Sequence, residues 1–588
     1  MSDLINSASL RLREIIMDAL GRLVAEEAVP AVPLPSFNIE IPADKSHGDF
    51  AANTAMVCAK ALKMPPRKIA EMICEKLDLE GTIFEKAEVA GPGFLNFFLG
   101  RSWFSDVVRN VLEEGENYGK TELGKGKKVL VEFVSANPTG PMHIGNARGG
   151  AIGDCLASVL QWAGYHAERE FYVNDAGNQI EKFGKSLELR YLQICSPKGQ
   201  EVLSKAADTE EVCRIIYGKD GENPDFPMPE DVYLGQDIIE HAKIYFDLNG
   251  NSLENVSEQE RRKALVDYAL PINVAGLERD LKKYRIVYDN WFRESTIHAK
   301  NETKLVVDKL MEAGKAYELD GAIWFKATEY GLDKDFVLKR SNGLYTYIVP
   351  DIAYHYDKLV TRNFDKAINV LGADHHGYVP RLKAALNALG VDETKLDVVL
   401  MQMVRLVRNG EIVKLSKRSG KAITLVTLLD EIPIDAARFY FNLREANSQF
   451  EFDLDLAVEK SSQNPVFYVQ YAHARICSML RALAEEGINV PESADLDLLR
   501  DPREIELIRH LASLPKEIDA AAKSYDPAKI TKYAIDLATL FHRFYDACSV
   551  KNAENEQLRD ARILLSVAVR QTLRNALEIL NIDRPEKM

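Results

Sequence analysis

The sequence has little cysteine, no excess of positive charge and no long apolar run. Its seven cysteines are scattered over 588 residues without a CxxC pair. That excludes a disulfide framework, leaves no cysteine-based zinc site and points to a reducing compartment. No apolar run approaches the roughly 20 residues needed to span a bilayer. The stretch Met1 to Asn6 carries no basic region followed by an apolar segment, so no signal peptide is expected. These features together predict a cytoplasmic protein without membrane contact. Lys and Arg number 74 against 89 Asp and Glu, a formal charge of −15. Such a chain does not coat nucleic acid through bulk positive charge, although a local basic surface can still grip it.

What is present is ordinary globular material, 46% apolar and 28% charged. At roughly 100–200 residues per domain the length implies several domains, and no internal repeat or low-complexity tract interrupts them. Apolar residues at helical spacing (Leu12, Ile15, Ile16, Ala19, Leu20, Leu23) predict a helix over 8–29, ended by Pro30, Pro33 and Pro35. A second helical stretch is expected over 51–77, then a turn at Gly91-Pro92-Gly93 feeding a strand to Leu99. Residues 1–115 therefore read as an α+β unit. After a Gly-rich, charged break at 115–126, Val129–Val134 reads as a strand, 143–163 as a helix stopped by Gly164, and Phe171–Val173 as a second strand. Strand, helix and strand within about 45 residues form a βαβ unit and hence a parallel sheet. Residues 190–290 are acidic and helix-biased, an insertion between two halves of that sheet, which resumes at Lys366–Leu371 and Asp397–Leu400. The expected core is a doubly wound α/β Rossmann fold over 116–455. From about 456 to 588 the chain reads as an all-α bundle, and from 465 onward 17 Lys and Arg stand against 19 Asp and Glu. This end is nearer neutrality than the rest and compatible with an RNA surface.

Two motifs carry chemistry. The first, Ser135-Ala136-Asn137-Pro138-Thr139-Gly140-Pro141-Met142-His143-Ile144-Gly145-Asn146, lies where the first strand becomes the first helix. A helix N-terminus presents free N–H groups and positive dipole to phosphate. His143 can donate a hydrogen bond to a phosphate oxygen, and Gly145 lets a flat base approach backbone. The second, Val413-Lys414-Leu415-Ser416-Lys417-Arg418-Ser419-Gly420-Lys421, follows a hairpin turn at Arg408-Asn409-Gly410. Its cations around small residues suit a loop over a polyphosphate. Alone, the first is a strand-to-helix turn and the second a solvated basic loop; together, in this order and spacing, they are far more specific.

The pair resembles the signatures of class I aminoacyl-tRNA synthetases: His143-Ile144-Gly145-Asn146 matches the "HIGH" motif and Lys414-Leu415-Ser416-Lys417-Arg418 matches "KMSKS". The longer string Ser135 to His143 is similar to the arginyl-tRNA synthetase version of the first motif. Gly91-Pro92-Gly93-Phe94-Leu95-Asn96 and His47-Gly48-Asp49 resemble that family's N-terminal additional domain, and Gln463 to Arg475 with Leu573 to Leu580 resemble its anticodon-binding domain. Two positions depart from the pattern: Asn146 stands where the motif ends in His, and Leu415 where it has Met. The resemblance implies activation of L-arginine by ATP and transfer to the 3′-terminal adenosine of tRNA(Arg), with Mg²⁺ on the phosphates. It also implies tRNA-dependent adenylate formation and, in our reading, a monomer. His143, Lys414 and Lys417 would be catalytic, and Pro138, His143, Gly145, Asn146, Lys414, Ser416 and Lys417 would bind ATP.

A guanidinium is planar, always charged and carries five donors, so its pocket needs carboxylates. The resemblance implies Asp351, Glu294 and Tyr347 for this role, with Ser135 and Asn137 at the α-amino and α-carboxylate groups and Asn146 as a further arginine-binding residue. Asp374 occupies a position where relatives carry Gln. Tyr347 and Asp351 are four apart, which shares a helix face, but Pro350 argues that a helix opens only at Asp351 and that the pair works through an extended turn. Read without the resemblance, Asp351 is an N-cap and Glu294 a surface charge. The adjacent His375 and His376 point apart and no third ligand accompanies them, so no protein-bound metal is expected. The alternative is a synthetase-like protein that binds tRNA or nucleotide without charging it; a cysteine-specific enzyme would show the zinc-ligand set that is missing here.

Overall fold

The structure, a computed structural model, describes residues 3–219, 221–413 and 423–588. Its centre is a five-stranded parallel sheet: β1 (Lys128–Phe133), β2 (His166–Val173), β3 (Asn290–Arg293), β4 (Lys366–Gly372) and β5 (Leu396–Met401). The order β3-β2-β1-β4-β5 is doubly wound, and the strand order reverses between β1 and β4, which themselves run parallel. A crevice opens there at the carboxyl ends of the strands, the place where such sheets bind ligands. β1 is almost wholly buried, as an apolar strand covered on both faces must be. The helix after it, α1 (Ile144–Trp162), lies unusually close to the sheet. A Cβ at Gly153 would come within 2.2 Å of the Phe133 ring, so only glycine allows this packing.

Between β2 and β3 the chain makes an all-helical excursion with an apolar core of its own. It begins at the helix Asn178–Cys195 and includes α2 (Gln236–Asn249) and α3 (Glu258–Lys283). The insertion thus starts about a dozen residues before the expected 190. β3 then leads directly into the short helix α4 (Glu294–Ala299). Before β4 the chain forms a three-stranded antiparallel sheet (Ala316–Leu319, Ala322–Phe325, Phe336–Lys339) and α5 (Ile348–Tyr356), which continues as a π turn over Asp357–Thr361. That small sheet has four-residue strands, too short for the sequence periodicity to reveal.

The N-terminal unit pairs a long helix (Leu4–Ala25) with a four-stranded antiparallel sheet. The expected helix over 51–77 is instead a short strand, Phe50–Ala52, and two helices, Thr54–Leu62 and Pro66–Lys76. Lys63 turns left-handed between them, and Pro65-Pro66 starts the second, where a missing N–H costs nothing. At the far end α6 (Pro465–Glu485), α7 (Ala528–Ala547) and α8 (Glu556–Ile579) build a helical bundle with two shorter helices. The bundle, the N-terminal unit and one face of the parallel sheet share one continuous apolar core. Among the described residues no helix is long and apolar enough to cross a membrane.

Candidate active site

Where β1 ends the backbone leaves ordinary conformations: Val134 and Ser135 have φ of 68° and 41°. A β-branched residue there is strained, and such strain persists only where surroundings enforce it. The enforcement is visible. The Ser135 hydroxyl donates to Glu132 at 3.0 Å and accepts from the Tyr172 backbone N–H at 3.1 Å. Glu132 is the one acid within the β1 strand and is buried. Lys358, fully buried in the π turn, meets it at 2.5 Å and sits 3.9 Å from the centre of the Tyr354 ring. A lone Glu in an apolar strand was the sequence signal for this network, because a buried carboxylate demands a partner.

The segment then runs without regular structure to His143, the N-cap of α1. Asn146 does not reach outward with both amide atoms: its Oδ1 accepts the His143 backbone N–H at 3.0 Å. The exchange of His for Asn in the motif therefore leaves a residue that closes the first turn of α1. Gly145 is exposed, and a Cβ there would meet nothing within 4 Å, so the space beside it is open to a flat ligand. Pro138 is buried, and Asn137 is exposed at the crevice. Arg408-Asn409-Gly410 forms the expected hairpin, with Asn409 and Gly410 at positive φ between paired strands. Lys414, Ser416 and Lys417 lie outside the described residues.

On the other side of the crevice an acidic cluster gathers. Glu294 opens α4 directly after β3 and is buried, with His298 at 3.3 Å. Tyr347 is the N-cap of α5 in helical conformation, and the helix proper starts at Ile348. Tyr347 and Asp351 are thus one helical turn apart, not spaced by an extended turn. Pro350 falls in the first turn, where its missing N–H has no partner to lose. Tyr347 is 71% exposed and stacks on Tyr378 with ring centres 5.8 Å apart. The Tyr378 hydroxyl donates to Asp351. Burial pushes the Asp351 carboxyl up to about 7, reinforced by the charges of Glu132 and Glu294 and opposed by the Tyr378 hydrogen bond. Burial likewise raises Glu294, and His298 and Tyr172 oppose it. The Tyr172 phenol is raised by burial and by both Glu294 and Asp351. The charge of Glu294 thus acts on both Asp351 and Tyr172, which places these three groups from different elements in one pocket. Beneath them His355 donates from Nδ1 to the Asp351 carbonyl and accepts from Asn369, both at 2.8 Å; burial pushes its imidazole down to about 3, keeping it neutral.

Asp374 follows β4, but its side chain is 84% exposed and its nearest ionic neighbour is His375 at 3.9 Å. Among the described residues no hydrogen bond or ion pair joins it to Glu294 or Asp351. The site residues the sequence did not single out are Tyr172, Tyr378, Glu132 and Lys358.

A second concave surface lies on the helical bundle. Tyr471, 40% exposed, lies near-parallel to the rings of Phe467 (6.2 Å between centres) and His542 (5.8 Å), and the Arg475 guanidinium sits 4.1 Å from the centre of the Tyr545 ring. Phe467, Tyr471, Arg475 and His542 border a hollow of about 350 Å³. Exposed aromatic faces beside an Arg are the elements that hold unpaired nucleobases.

The comparisons with known proteins bear on this arrangement. The class I (R) tRNA synthetase catalytic domain matches residues 107–476, the arginyl tRNA synthetase N terminal domain residues 10–99, and the DALR anticodon binding domain residues 469–588. A parallel nucleotide fold with a helix N-terminus at its switch point, joined to that catalytic family over more than half the chain, defines a class I aminoacyl-tRNA synthetase. The arginine–tRNA ligases of Caldanaerobacter subterraneus subsp. tengcongensis and Acetivibrio thermocellus are 50% and 48% identical to it, over the full length of both chains in each case. The arginyl-tRNA synthetase of Thermus thermophilus has the same fold, with a TM-score of 0.72 at 22% identity, covering 99% of this chain and 100% of that one. The chain belongs to the arginyl-tRNA synthetase family.

Proposed function

We propose the following division of labour for the arginine–tRNA ligase activity that this membership carries. Arginine, ATP and tRNA are the substrates. The arginine carboxylate attacks the α-phosphorus of ATP, the bond to pyrophosphate breaks, and arginyl-adenylate results. A hydroxyl of the terminal ribose, the 2′ one in our reading, then attacks the activated carbonyl and AMP departs.

The acidic pocket supports the assignment of the amino acid more than any other observation. Glu294 and Asp351 offer carboxylates to a forked cation, and Tyr347 stands at the mouth with its ring anchored on Tyr378. Ser135 and Asn137 then face the α-groups from the first motif, with Asn146 as a further arginine-binding residue, and Asp374 reaches the complex only from the rim. A lysine ammonium would leave acceptors unmatched. At about 1–3 kcal/mol per buried unpaired acceptor, several such groups reject it by ~10⁴-fold. His143 and the open N-terminus of α1 hold phosphate oxygens, with Pro138 and Gly145 shaping the nucleotide's bed. Lys414, Ser416 and Lys417 supply phosphate-binding groups in this reading, and Lys417 with His143 stabilises the pentavalent phosphate.

The donors of this cradle are N–H groups, which take phosphate oxygens. Mg²⁺ prefers oxygen ligands and is usually carried on substrate phosphates, so it fits here on the nucleotide, where it supplies charge neutralisation. The seven cysteines are all unpaired, in keeping with a reducing compartment such as the cytoplasm, and our reading takes the enzyme as a monomer. ATP–pyrophosphate exchange with each of the twenty amino acids, with and without tRNA, tests the reading. Exchange driven by arginine alone among them is expected; exchange driven by another amino acid overturns the pocket assignment.

A further inference from the structure

The long helical insertion has no part in the scheme above, yet two of its helices reach the first motif. The irregular segment 134–142 is fastened at one end through Ser135, to Glu132 and Tyr172. It is fastened at the other through the Met142 carbonyl, which accepts from Leu425 N–H at 2.9 Å, and through His143. Its middle must hold its shape under the nucleotide. There Asn273 of α3 donates from Nδ2 to the Pro138 carbonyl at 3.0 Å. The Asn273 Oδ1 lies 2.7 Å from Nε2 of His241, a buried residue of α2. With Asn273 donating to Pro138, its oxygen must accept, so His241 carries its proton on Nε2. Pro138 has no N–H, so this carbonyl is its one backbone hydrogen-bonding group. One turn before His241, the buried Asp237 Oδ2 has no hydrogen-bond partner among the described residues, and a Cβ on Gly140 would lie 3.5 Å from it. Two helices of the insertion therefore converge on Pro138 and Gly140 with three polar side chains.

We propose that His241 and Asn273 are positioning residues for adenylate formation: the relay from His241 Nε2–H to Asn273 and from Asn273 to the Pro138 carbonyl holds the nucleotide-binding segment in its reactive shape. This rests on the reading that residues 135–146 bind ATP. The physical stake is placement, since an error of about 1 Å at a reacting group costs on the order of 10²-fold in rate. The insertion then acts as a buttress for the phosphate site, which explains why polar side chains are buried against a loop that a hydrophobic contact could equally have covered.

The test is ATP–pyrophosphate exchange and overall charging, run on the full chain with arginine, ATP and tRNA(Arg) transcript. Asn273→Ala is expected to lower kcat/KM for ATP by about 10- to 100-fold. Asn273→Asp should fall lower still, because it turns an acceptor toward the Pro138 carbonyl. His241→Gln keeps an N–H near the position of Nε2 and should recover most of the activity that His241→Ala loses. Tyr191→Phe serves as the control: it removes a hydrogen bond to Gly250 (2.8 Å) inside the insertion core, away from the motif. It should lower the melting temperature without lowering the rate. Wild-type kcat/KM for ATP in both Asn273→Ala and His241→Ala overturns the proposal. So does a rate that tracks melting temperature across all the variants, Tyr191→Phe included. Wild-type enzyme that fails to exchange with arginine and tRNA would instead overturn the functional reading beneath it.

Discussion

At the scale of single residues, the Asp351 carboxyl is the most consequential group. Its value near 7 comes first from burial and then from the negative charges of Glu132 and Glu294. Below that value the pocket holds a neutral acid and attracts a guanidinium weakly. Above it the carboxylate is ready. The KM for arginine is therefore expected to be flat above about pH 7.5 and to rise as pH falls through 7, with a slope approaching one proton, measurable in exchange kinetics across pH 5.5–8.5. Tyr378→Phe removes the hydrogen bond that opposes this rise, so the inflection should move upward; an unchanged inflection would show that Tyr378 does not tune the acid. For stability the sign is reversed. A carboxyl whose folded value exceeds its unfolded one near 4 stabilises the fold below the unfolded value and loses that contribution as pH rises through 7. Asp351→Asn should therefore raise the arginine KM by at least ~100-fold while raising the melting temperature at pH 8 more than at pH 6. In the second motif, Lys417→Ala is expected to cost about 10²–10³ in kcat; an unchanged steady-state charging rate would refute its role. The carboxylates of this pocket were legible in the sequence only through family resemblance. Composition alone makes Glu294 a surface charge, and nothing local predicts that β2 and β3 bring Tyr172 and Glu294 together.

At the scale of elements, α5 and its π turn carry the polar foundation of the site. A π turn adds a residue to the helix and often marks a functional position. Here it coincides with Lys358, which is buried against Glu132. Removing one partner of such a pair leaves an uncompensated charge, commonly at a cost of 3–5 kcal/mol. Lys358→Met should accordingly lose about that much stability, and the double variant with Glu132→Gln should recover a large part of it. Urea unfolding of the wild type, the two single variants and the double variant measures this coupling, and strict additivity would mean the ion pair is not what holds the two elements. The same helix shows where a sequence reading falters. Pro350 marks a helix start, but the start extends three residues upstream of Asp351, because proline is harmless anywhere in the first turn. The break at Lys63 failed to show for a related reason: apolar residues keep helical spacing across 54–76 although the backbone turns left-handed in the middle. By contrast β1, α1 and the hairpin at Asn409-Gly410 were legible because each has a local cause, whether an apolar run, a glycine stop or a turn that requires positive φ.

At the scale of the whole molecule, the helical bundle is no detachable module. Arg438 is fully buried and donates to the Leu580 and Tyr284 carbonyls, at 3.1 and 3.0 Å, and to Asp154 of α1. Tyr118 donates to the Leu511 carbonyl at 2.8 Å, and Asn575 to those of Gly115 and Tyr118, each at 2.9 Å. Deleting 465–588 would strip Arg438 of an acceptor and open the shared apolar core, so the truncated chain should lose its fold along with any affinity for RNA. The RNA-facing role is better read from the surface. Tyr471→Ala removes an aromatic face worth about 1–3 kcal/mol per stacked base, which predicts a roughly 5- to 100-fold weaker tRNA Kd. Arg475→Ala should also weaken binding, and if it meets a phosphate the salt dependence should flatten by about one unit in log–log slope. Both variants should melt within a few degrees of wild type, because Tyr471 and Arg475 border the hollow and are not part of the core. Filter binding of tRNA(Arg) transcript at several salt concentrations decides the matter. Wild-type affinity in both variants would move the RNA contact off this face, whereas weakened binding with intact melting would place tRNA on the aromatic hollow.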